Sequence, residues 1–185
     1  MKELLKTIAV SILTLASTIA CSQENIRASN DTKRGAVANL CDADEESIFT
    51  CFTEKKIASL CLRQQEGNVY IKYRYGSPEK IELIYPISQA DSSEGFKLST
   101  TPYPGGGENR IRFAIAEYNY YLYDIAKSES DDQGQYPVFK SGILALKNNA
   151  TILSKSCKND ASIKAPAFEV LQEENFNYNL DMIRE

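Results

Sequence analysis

Strict two-residue alternation most constrains what this chain can fold into. In residues 68–75, Val69, Ile71, Tyr73 and Tyr75 fall on one side, and Tyr70, Lys72 and Arg74 on the other. A period of two is the mark of a half-buried strand. It recurs at Ile111, Phe113 and Ile115. β-Branched and aromatic runs at 47–53 and 56–62 flank Glu54-Lys55, a hairpin signal. Residues 80–85 form another strand, ended by Pro86, and 96–100 and 118–125 read as two more. The runs 139–147 and 151–157 flank Asn148-Asn149, a pair that tolerates the positive φ of a tight turn. One short helix is expected over 167–174, with Phe168, Val170 and Leu171 as its apolar residues. Polar stretches at 88–95 and 127–135 read as loops, and residues 103–107, rich in glycine, as a flexible hinge between two strand-rich blocks. The tail 176–183 reads as a last strand or a docked extension. The pattern predicts an all-β domain over 41–185, an antiparallel sandwich or barrel of about 8–10 strands.

The N-terminus carries a different message. Lys2 and Lys6 precede an apolar run at 7–16, and Ser17-Thr18-Ile19-Ala20-Cys21 follows. That is the layout of a secretory signal peptide over residues 1–20. The apolar run is too short to span a bilayer, which takes about 20 residues. Ala20-Cys21 resembles a lipobox, which makes Cys21 a lipidation site, although Thr18 stands where Leu is usual. Ordinary cleavage after Ala20 is the rival. Residues 21–40 then read as a polar, flexible tether. The expected location is the periplasm or the outer membrane, with the lipid as the only membrane contact.

With Cys21 set aside, Cys41, Cys51, Cys61 and Cys157 form an even set, which in an oxidising compartment favours two disulfides. Zinc held by four cysteines prefers close pairs, and these cysteines are far apart in sequence. Strand register selects the pairing. If Glu54-Lys55 is a two-residue turn, Cys51 faces Ala58 and Cys61 faces Ile48. Alternation then points Cys51 and Cys61 to opposite sides. Cys41 enters near the Cys61 end, so the expected bridges are Cys41–Cys61 and Cys51–Cys157.

Composition narrows function. The net charge is −4, and loss of Lys2, Lys6 and Glu3 with the leader makes it one unit more negative. Mild acidity argues against nucleic acid as partner. The chain has no His, so Ser-His-Asp and Cys-His nucleophile systems are excluded, as are the common His-containing zinc sites. No catalytic residue, metal or cofactor is assigned.

Several segments taken in order carry a resemblance: 47–51, 55–61, Tyr73-Arg74-Tyr75-Gly76, 82–86, Gly105-Gly106-Gly107-Glu108, Ile111-Arg112-Phe113 and Tyr118-Asn119-Tyr120. Together they resemble a group of uncharacterised exported proteins of Gram-negative bacteria, over roughly residues 41–158. The resemblance implies an exported β-rich domain with paired cysteines and carries over no functional residue. Glu117 departs from it, since a Gly is expected at that turn.

Other motifs have bland readings. Asp42-Ala43-Asp44-Glu45-Glu46 opens like a calcium loop, but Ser47 and Thr53 occupy the positions that need Gly and Glu; it reads as a solvated acidic loop. Ser77-Pro78-Glu79-Lys80 matches S-x-x-K, yet Pro78 makes it a β-turn. Gly105-Gly106-Gly107 has no following helix to cradle phosphate. Among eleven tyrosines, Tyr118, Tyr120, Tyr121 and Tyr123 crowd one strand. Cross-strand packing explains them; an exposed aromatic strip for a protein or glycan partner is the sharper alternative.

The expected function is a non-catalytic binding or interaction module of the envelope, its partner an envelope protein or glycan. The alternatives are a periplasmic lysozyme inhibitor using a Ser141-Gly142 loop, a His-independent hydrolase built on two carboxylates, and a structural component without a ligand.

Overall fold

A computed structural model describes residues 39–88 and 93–180. The signal segment, Cys21 and nearly all of the expected tether lie outside the described residues. Strands β1 (Glu46–Phe52), β2 (Ile57–Gln65), β3 (Asn68–Ser77) and β4 (Lys80–Tyr85) form a four-stranded sheet in sequence order. Strands β5 (Phe96–Tyr103), β6 (Gly106–Ile115), β7 (Tyr118–Asp131), β8 (Gly134–Lys147) and β9 (Ala150–Ser156) form the second sheet. A short helix α1 (Ala165–Val170) leads to β10 (Gln172–Glu173), which joins β5 in parallel. The other pairings are antiparallel. The fold is an all-β sandwich, with no closed barrel. No helix among the described residues is long and apolar enough to cross a membrane.

Alternation explains the core. Ile71 and Tyr73 of β3, Ile111 and Phe113 of β6 and Leu122 of β7 meet in one cluster between the sheets. Phe113 is its aromatic hub: its ring centroid lies 4.8 Å from Tyr73, 5.2 Å from Tyr85 and Phe96, and 5.0 Å from Tyr120. The chain changes sheets between Tyr85 and Phe96, so the block boundary lies there and not at the glycines. Residues 103–107 are no hinge. Tyr103 pairs with Gly106 around a Pro104-Gly105 turn, and Gly105 adopts φ 79°. A Cβ at Gly105 would meet Ser128 Oγ at 2.2 Å, so the close docking of this turn on β7 needs glycine.

Residues 127–135 are likewise no loop. β7 and β8 run on as a two-stranded ribbon to a turn at Asp132-Gln133. No apolar alternation marks that stretch, because most of its side chains on both sides are exposed. The helix starts two residues earlier than expected, with Pro166 in its first turn. Residues 176–180 form an irregular segment, not a strand. At Ala116-Glu117 the left-handed residue is Ala116, with φ 50°, so Glu117 does not need to be Gly.

Cys41 bonds Cys61, and Cys51 bonds Cys157. Cys51 faces Ala58, but a bulge at Ile48 sets Ser47, not Ile48, opposite Cys61. β2 is unbroken from Ala58 to Cys61, so the two cysteines still point to opposite sides. Cys51–Cys157 lies in the core between the sheets. Cys41–Cys61 lies on the outer side of the first sheet, where Leu40 N also donates to Ser59 Oγ at 2.9 Å. The two bridges mark an oxidising, exported compartment.

The free edge of β1 is covered by residues 158–164. Lys158 N donates to Phe52 O at 2.6 Å and Lys164 N to Ile48 O at 2.9 Å. Asn159 fills the gap, accepting from Phe52 N at 2.7 Å and donating to Thr50 O at 2.9 Å. This covering satisfies backbone groups that would otherwise template another strand.

Candidate functional site

A cleft of about 710 Å³ lies between the inner side of the β7–β8 ribbon and residues 157–163. Register puts Asp124 opposite Ser141 and Ala126 opposite Phe139. These residues continue the row that carries Leu122 and Ile143 in the core, because alternate residues share a side. Residues 157–163 make the opposite wall, and Lys158 and Asp160 add charge. Phe139 is 70% exposed although it lies in the core-facing row.

Asp124 ties the two walls together. Its Oδ1 accepts from Asn109 Nδ2 at 2.7 Å and its Oδ2 from Ile163 N at 2.5 Å. Burial raises its pKa and the charge of Glu108 adds to this; together they outweigh the two hydrogen bonds. Both carboxylate oxygens therefore serve the fold. Nothing in the sequence distinguishes Asp124 from the other acids, since its role depends on Asn109 and Ile163, which are distant in the chain. Phe139 was legible as an apolar strand residue, but not as an exposed one.

The four tyrosines do not make an exposed strip. Tyr120 faces the core and stacks on Phe113 with an interplanar angle of 7°. Tyr121 and Tyr123 point to the other side and are buried with Ile125, Leu144 and Leu146. Tyr118 is half-buried, its ring under Lys147 Nζ at 5.0 Å. Alternation divides the group between the two sides of β7, and only Tyr118 and Tyr120 keep intermediate exposure.

Ser141-Gly142 is not a loop. It lies inside β8, paired with Asp124 and Tyr123 on one side, and Gly142 pairs with Ser156 on the other. A Cβ on Gly142 would lie 2.4 Å from Tyr123 Oη, so glycine makes room for that ring. The inhibitor reading loses its motif. Ser77 and Lys80 close the β3–β4 hairpin as a register pair.

The acidic segment 42–46 is more than a solvated loop. Asp42 Oδ2 lies 2.5 Å from Arg74 Nη2, Glu45 also pairs with Arg74, and Asp44 Oδ2 lies 2.9 Å from Arg63 Nη1. Burial pushes the Glu45 pKa up, but hydrogen bonds from Arg74 and the Asp42 backbone, with the charges of Arg74 and Lys72, hold it below its ordinary value. Glu45 lies beside Cys41 and Cys61, whose sulfurs are spent on each other.

Comparison with family models, with curated proteins and with solved structures finds no match.

Proposed function

We propose that the chain is an exported envelope protein that acts as a non-catalytic binding module, with the cleft beside Phe139 as its site. The observation that carries this reading is Phe139, 70% exposed at the mouth of the cleft. Burying such a side chain is worth about 1.5–3 kcal/mol. Left open beside a cavity of this size, it supplies an anchor for a partner. Lys158 and Asp160 give the cleft polar groups of both signs to orient what binds. The partner is an envelope protein or glycan. The hydrolase reading has less support, because Asp124 already spends both oxygens on Asn109 and Ile163.

The signal layout of residues 1–20 and the two disulfides support export, and Ala20-Cys21 supports a lipid anchor at Cys21. The test is a pull-down from envelope extract with the mature domain and with its Phe139→Ala variant. One component retained by the unaltered domain and lost with Phe139→Ala is expected. Equal retention by both contradicts the cleft as the site.

A further inference from the structure

The outer side of the second sheet, opposite to the row that carries Phe139, holds a buried ion pair. Register places Thr101 and Tyr103 of β5, Glu108 and Arg110 of β6, and Tyr121, Tyr123 and Ile125 of β7 on that side. Glu108 and Arg110 are 1% and 3% exposed. Arg110 Nε donates to Glu108 Oε1 at 2.5 Å, and Tyr103 Oη donates to Glu108 Oε2 at 2.5 Å. This network fixes the guanidinium. Its outward nitrogens then bind main chain: Nη1 donates to Asn177 O at 2.7 Å and Nη2 to Leu180 O at 2.8 Å. The Phe176 ring covers the same guanidinium, with its centroid 3.9 Å from Cζ. Leu180 packs on the cluster formed by Tyr121, Tyr123, Ile125, Leu144 and Leu146.

Residues 176–180 thus sit on the sheet as a bound peptide would. A planar fork reads two carbonyls, an aromatic ring stacks on it, and an apolar side chain four residues later enters a tyrosine-walled patch. The segment has little holding it in itself. Within it, Leu180 N donates to Asn177 O at 3.4 Å and Asn179 N to Asn177 Oδ1 at 3.0 Å. Tyr178 is 77% exposed, tied by its hydroxyl to Thr101 at 3.2 Å. Short segments with few backbone bonds open locally rather than with the core. Opening costs Arg110 its bonds to Asn177 O and Leu180 O, which an equivalent peptide restores.

We propose that this side of the sheet is a peptide site, filled by the chain's own residues 176–180 and open to a partner peptide that carries an aromatic residue four positions before an apolar one. The tethered segment competes at an effective concentration on the order of millimolar, so it acts as a built-in competitor that admits only a better match.

The test uses a fluorescent synthetic peptide spanning residues 172–180 and the full chain, read by anisotropy. Weakening the tethered copy by Phe176→Ala with Leu180→Ala should strengthen peptide binding at least about tenfold over the unaltered chain. Adding Arg110→Met with Glu108→Gln, which removes the fork without stranding a charge, should abolish it. Phe139→Ala should leave it unchanged, which separates this site from the cleft. No binding to a weakened chain that keeps both disulfides and its near-ultraviolet circular dichroism overturns the proposal. Hydrogen exchange on the unaltered chain gives a second reading that needs no variant. Amides of residues 176–180 should exchange by local opening, faster when unlabelled peptide is added. Exchange only with global unfolding, together with β6 and β7, overturns it.

Discussion

Asn159 sits against Phe52 as a strand would: its side-chain oxygen accepts the Phe52 N–H at 2.7 Å while its nitrogen serves Thr50 O. One amide side chain satisfies a donor and an acceptor on the open edge of β1. Asn159→Ala should therefore destabilise the domain by about 1–3 kcal/mol, since it leaves both groups unpaired. It should also increase self-association through that edge. Urea unfolding and light scattering check the two effects. An unchanged unfolding midpoint contradicts this role.

The two bridges should differ in worth. Cys51–Cys157 spans a sequence separation of 106 and Cys41–Cys61 one of 20. By chain-entropy arithmetic the long bridge contributes about 4–5 kcal/mol and the short one about 3 kcal/mol. The paired variant Cys51→Ser with Cys157→Ser should unfold at lower urea than Cys41→Ser with Cys61→Ser. The reverse order would show that Cys41–Cys61, beside the ion-paired arm 42–45, holds more than its loop.

Acid should weaken the fold through Glu45. Its carboxyl is held below the ordinary 4.5 in the folded chain, chiefly against the pull of burial, by Arg74 and its neighbours. Its stabilisation is present above the unfolded value and is lost as pH falls through the folded one. Asp124 has the opposite sign. Burial raises it above 3.8, so its contribution is fullest below that value and is lost as pH rises through the folded one. Glu45→Gln should cost about 1–3 kcal/mol at pH 7. It should also flatten the loss of stability as pH falls below the ordinary 4.5. Urea midpoints measured across that range decide it; an unchanged slope assigns the acid sensitivity elsewhere.

Much of this architecture was legible because one side of each core strand is dry. Val69, Ile71, Tyr73 and Tyr75 announce β3, and Asn148-Asn149, both at positive φ, announce the β8–β9 turn. The ribbon at 127–135 was not legible, because a strand wet on both sides has no apolar period to read. The bulge at Ile48 escaped for a related reason: Ser47, Ile48 and Phe49 are all buried, so alternation is locally silent. The site was least legible. Asp124, Asn109 and Ile163 meet only through folding, and Phe139 looks in sequence like any core strand residue although it is 70% exposed.

The mature N-terminus should be Cys21, lipidated, with residues 1–20 removed. Intact-mass spectrometry of protein from its native envelope reads this directly. An unmodified Cys21 terminus sinks the lipid anchor and leaves export standing; a retained Met1 sinks both.

Site-specific photo-crosslinking in living cells tests whether a partner occupies the cleft beside Phe139. A benzophenone side chain replaces Phe139, and separately Ile152, which is 53% exposed on β9 and does not line the cleft. Irradiation should give a discrete crosslinked product from position 139 and none from position 152. No product at 139, or the same products from both positions, means that no partner sits in the cleft.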